Sequence, residues 1–80
     1  MTKLHPGLTP LSSSMLAGHA YDPNTRTLSV QYMGKDGAPS SVWTYEAVPM
    51  ERAEALSGSM SPGRYFNDKI KGLYTARQVK

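Results

Sequence analysis

The chain has 80 residues, no cysteine and a formal net charge of +3. That length holds one domain whose core must be compact, and without cysteine neither disulfides nor a thiolate zinc site can supplement it. Packing, or association into a homo-oligomer, is left to stabilise the fold. The longest apolar runs are a few residues, and residues 1–6 lack the continuous apolar segment of a signal peptide or membrane span. A cytoplasmic protein with no membrane partner is expected.

In chain order, residues 1–11 contain Pro6, Gly7 and Pro10 without a sustained period, which predicts a flexible N-terminal arm outside a single domain over 12–80. Residues 13–21 read as a first strand, closed by Asp22-Pro23-Asn24-Thr25, where proline fixes φ and the Asx side chains favour a turn. Thr27 to Tyr32 alternates polar and apolar strictly, so Leu28, Val30 and Tyr32 share one face of a half-buried strand. A glycine- and proline-punctuated loop over 34–40 leads into Ser41-Val42-Trp43-Thr44-Tyr45, a third strand rich in β-branched and aromatic residues. Val48-Pro49 breaks that strand. Met50 to Leu56 then predicts a helix stopped by Gly58, with Ala53 and Leu56 facing inward. Ser61-Pro62 reads as an N-cap and first helical position, opening a second helix through about Ala76 with Phe66, Ile70 and Leu73 or Tyr74 as its buried stripe. The expected fold is α+β: a three-stranded antiparallel meander followed by two helices packed on one face.

Charge is unevenly spread. Arg64, Lys69, Lys71, Arg77 and Lys80 lie in the last seventeen residues against one acid, Asp68, whereas the first sixty-three hold four bases and five acids. This pattern fits either a solvated face or a positive field for phosphates.

The succession Ser13-Ser14, Tyr21-Asp22, Trp43-Thr44-Tyr45, Val48-Pro49, Ser61-x-Gly63-x-Tyr65-Phe66-Asn67 and Ile70-x-x-x-Tyr74 resembles the KTSC domain, named for its occurrence at the C-terminus of some lysyl-tRNA synthetases. The likeness covers about residues 13–75. The family also includes free-standing bacterial and phage proteins, and the resemblance implies RNA binding, the role suggested by attachment to a synthetase. Trp43 departs from the family's usual tyrosine, and the 34–40 loop exceeds its usual tight turn.

The most informative cluster is Ser61 to Asn67. A helix start presents free backbone N–H groups and partial positive charge, a glycine permits close approach, and Arg64 adds a forked donor. Ser61, Gly63, Arg64, Tyr65, Asn67, Lys69 and Lys71 therefore form a candidate phosphate site; the alternative is an ordinary capped helix start. The full phosphate-loop pattern is absent. Trp43 and Tyr45, two apart on a strand, either stack bases or fill the core. Tyr65 is either an exposed ring beside Arg64 or a partly buried tyrosine.

His5 and His19 define no metal or general base, and no Ser, His and acid set or carboxylate pair has a catalytic spacing. No catalytic residue, cofactor or metal is expected. Three functions stay open: a binding module for RNA or another nucleotide polyanion, an oligomeric phage or bacterial protein that sequesters a nucleotide signal, and a module that binds or inhibits a host protein.

Overall fold

The computed structural model of the chain describes residues 4–11 and 13–79. Residues 1–3, Ser12 and Lys80, assigned above to the arm, the start of the 12–80 domain and the basic tail, lie outside the described residues.

Five strands form one antiparallel sheet, β1 (Thr9–Pro10), β2 (Leu16–Asp22), β3 (Thr27–Met33), β4 (Pro39–Tyr45) and β5 (Ala76–Gln78), in spatial order β1-β2-β3-β4-β5. Two helices, α1 (Met50–Gly58) and α2 (Pro62–Lys69), lie in the chain between β4 and β5. The three expected strands are its centre. The turn after β2 is closed by the Asn24 N–H donating to Asp22 Oδ1 at 2.9 Å, and the next by the Gly34 N–H donating to the Ala38 carbonyl at 2.7 Å.

Register puts Leu28 opposite Tyr45, and Val30 opposite both Trp43 and His19. Opposed residues of an antiparallel pair share a face. This face is covered by the helices, and the core unites Leu16, Leu28, Val30, Tyr45 and Val48 with Ala53, Leu56, Phe66 and Ile70. Phe66, with no exposure, meets Tyr32 and Tyr45 edge-on at centroid distances of 5.8 and 5.2 Å. Such T-shaped pairs add roughly 0.5–1.5 kcal/mol beyond their buried area.

Two corrections concern the ends of the sheet. Thr9 and Pro10, inside the segment read as an arm, pair with His19 and Gly18. Gly18 has no Cβ, and one placed there would lie 2.6 Å from a Leu4 methyl and 2.9 Å from the Thr9 carbonyl. The His5 N–H donates to the buried Gln31 at 2.7 Å, so residues 4–10 lie against the sheet.

The second correction is to α2, which ends at Lys69 and does not reach Ala76. The Ile70 and Lys71 N–H groups both donate to the Phe66 carbonyl, at 3.0 and 2.8 Å, and Gly72 follows at φ 82°. A left-handed glycine after the last turn stops a helix. The chain then returns as β5, with Thr44 opposite Arg77. The expected basic C-terminal helix is a short helix, a turn and an edge strand. Of the expected stripe, Phe66 and Ile70 are fully buried, Tyr74 is partly buried and Leu73 is 63% exposed.

Candidate functional site

The candidate phosphate residues divide between two pockets and an exposed face. At the start of α2, residues 13–15 and 60–64 enclose about 260 Å³. Ser61 occupies the N-cap position without a side-chain cap bond; its own N–H donates to Ser59 Oγ at 3.1 Å, and its carbonyl accepts from the Tyr65 N–H at 2.9 Å. Gly63 is buried, and a Cβ there would stand 3.0 Å from Met15 Cβ and 3.1 Å from Ser13 Oγ. Its missing side chain thus accommodates the protein's own Ser13–Met15 segment. Ser13 Oγ accepts from the Met15 and Leu16 N–H groups at 3.0 and 3.2 Å, a local bond that shapes the entry into β2. Arg64 is exposed at the rim, and Asn67 and Lys69 are exposed along α2.

Beyond the other end of the helix, Tyr32, Trp43, Tyr45, Tyr74, Lys71, Gly72 and Ala76 enclose about 460 Å³. The sequence dictates this wall directly. Trp43 and Tyr45 alternate onto one face of β4, and Tyr32 joins them across the β3–β4 irregularity between Gln31 and Met33. Tyr32 and Trp43 meet edge to face, with centroids 6.4 Å apart and planes at 82°. Tyr45 is core, 2% exposed, whereas Trp43 is partly exposed and anchors its indole N–H on Ser41 Oγ at 3.3 Å. Core packing thus describes Tyr45, and Trp43 packs against that core while staying partly exposed.

The Tyr32 and Tyr45 hydroxyls are 2.6 Å apart. Burial, then the bond to Tyr45 and its electrostatic influence, push the Tyr32 phenol well above the ordinary tyrosine range, so it remains protonated. Arg52 of α1 lies beside the hydroxyls of Tyr65 and Tyr74, whose influence raises its already high pKa. Tyr65 is a partly buried tyrosine packed against the core.

Sequence reasoning does not single out Arg52 or Tyr32 as site residues. Arg52 carries no local signal, because its partners lie 13 and 22 positions away along the chain. Tyr32 is legible as a member of the alternating strand facing Trp43. His19, on the core face of β2, has a buried Nδ1 with no hydrogen-bond partner, and burial lowers its pKa. Among the described residues no group of three or more His, Cys, Asp or Glu side chains is placed to hold a metal.

An antiparallel sheet with two helices on one face defines a small α+β domain whose larger concavity is aromatic. The KTSC domain model matches residues 12–74, and the chain belongs to the KTSC domain family. A KTSC domain protein from Yersinia pestis has a similar structure, with a TM-score of 0.80 at 30% identity over 91% of this chain and 96% of that one. In sequence the chain is 38% identical over 61 residues to an uncharacterized protein of Stutzerimonas stutzeri, covering 76% of this chain and 79% of that protein. It is 31% identical over 66 residues to a lysine–tRNA ligase of Nostoc, 82% of this chain but 11% of the ligase. The chain thus spans a small part of that relative's length.

Proposed function

We propose that the chain is a non-catalytic, cytoplasmic binding module for a nucleotide-containing polyanion, single-stranded RNA first. The observation that carries this reading is the aromatic pocket, with Trp43 and Tyr74 partly exposed and Lys71 in its wall. Lys69 and Arg77 are exposed on the adjoining segments. Stacking on aromatic rings beside lysines and arginines is how sequence-tolerant single-strand binders work, because every base has a π face and every linkage a phosphate. Among the described residues no helix is long and apolar enough to cross a membrane.

The test is fluorescence anisotropy with a labelled ten-nucleotide single-stranded RNA across a salt series. Binding that weakens linearly in log salt through counterion release is expected. Replacing Lys71 and Arg77 by alanine should lower the slope by roughly one for each phosphate that is no longer neutralised. No binding at low salt, or a slope unchanged in the double variant, refutes the reading.

A further inference from the structure

We infer that the aromatic pocket is a discrete site for one nucleotide, its base held among Trp43, Tyr32 and Tyr74 and its phosphate at Lys71. This deepens the reading above and rests on it.

Four observations converge. The volume, about 460 Å³, falls in the roughly 300–1,000 Å³ range of small-molecule sites, which suits one nucleotide and not a run of stacked bases. The lining is mostly aromatic ring surface, which favours a flat, polarisable occupant. Its donors are few and specific. The Tyr32 and Tyr45 hydroxyls, 2.6 Å apart, hold two hydrogens; one lies between them and the other remains for an acceptor. That spare hydrogen suits an occupant with a lone pair to offer, such as the ring nitrogens and carbonyls of a nucleobase.

The fourth observation is charge. Lys71 is exposed and shares the pocket wall with Gly72, whose φ of 82° turns the chain towards Tyr74. An ammonium at the mouth of an apolar cavity complements an anionic group attached to the ring. An uncharged aromatic metabolite would leave it unused, and inorganic phosphate would leave the rings unused.

Calorimetry with 5′-AMP as probe, beside adenosine and inorganic phosphate, tests the assignment, with Trp43 fluorescence followed in parallel. 5′-AMP should bind with one-to-one stoichiometry and quench Trp43, and adenosine should bind roughly tenfold more weakly for want of the charge-assisted bond to Lys71. Lys71→Ala should reduce 5′-AMP to the adenosine level while leaving adenosine unchanged, a split that general loss of structure would not produce. Trp43→Leu should weaken both nucleoside and nucleotide about tenfold.

If the ten-nucleotide RNA binds and 5′-AMP does not, the single-nucleotide site is refuted and RNA binding stands. Failure of both ligands refutes both readings. Binding of 5′-AMP that is indifferent to Lys71→Ala and Trp43→Leu places the nucleotide elsewhere and refutes the pocket. Quenching that follows protein concentration alone would mean that a second copy fills it, which also overturns the inference.

Discussion

The two ends of α2 hold pockets of opposite construction. At its start, serines, a glycine and backbone N–H groups crowd together, and part of that polarity serves the fold: Ser13 Oγ accepts from Met15 and Leu16, Ser59 Oγ from Ser61, and the space at Gly63 is taken by Met15. Past its other end, four aromatic rings and one lysine enclose the larger volume. A helix start resembles an anion site by its chemistry alone, yet the same groups serve the fold when a neighbouring segment packs on them. The aromatic end has surplus capacity: a partly exposed indole, a phenolic hydrogen and an ammonium.

Removing the ring that packs the helix between these two ends onto the sheet should have the largest effect. Phe66→Ala deletes the fully buried ring between α2 and the Tyr32–Tyr45 wall, and a loss of about 3–5 kcal/mol in urea unfolding is expected. A loss below about 1 kcal/mol would mean that the hub is not where packing is decided.

The polar end can be split by a pair of substitutions. Ser13→Ala removes an acceptor from two N–H groups and should cost about 1 kcal/mol. Ser61→Ala should cost less than about 0.5 kcal/mol, below the usual range for an N-cap serine, because its side chain makes no cap bond. The reverse order, read by thermal unfolding, would restore Ser61 as the cap.

The smallest expected effect lies at β2, away from both pockets. Burial lowers the His19 pKa below the ordinary 6.5, so the unfolded chain takes up a proton first as pH falls. Stability from the neutral imidazole is complete above 6.5 and declines as pH drops from there through the lower folded value. Thermal unfolding on either side of that range, near neutral pH and again about two pH units lower, should show a fall that His19→Gln diminishes. An equal fall in both proteins would show that His19 is not its source.

Much of the fold is legible in the sequence. Alternation at Leu28, Val30 and Tyr32 locates β3 and its inward face, β-branched and aromatic residues locate β4, and Pro49 and Gly58 bracket α1. The edge strands are not legible, because two residues at Thr9–Pro10 and three at Ala76–Gln78 carry no period; their partners β2 and β4 make them strands. The end of α2 is hidden because Phe66, Ile70 and Tyr74 keep helical spacing through a turn that Gly72 imposes. Lys71 belongs beside Trp43 and Tyr45, and not with Ser61 and Gly63, for the same reason. The placing of Arg52 beside Tyr65 and Tyr74 depends on how α1 meets the chain after α2, which no local pattern encodes.

The central claim, that the aromatic end of α2 receives the ligand, is tested most directly by mapping amide and indole chemical-shift changes during titration with 5′-AMP. The account predicts the largest changes at Tyr32, Trp43 and residues 71–76, with small ones at residues 13–15 and 61–64. Changes concentrated at Ser13, Gly63 and Arg64 would contradict it and return the binding site to the start of the helix.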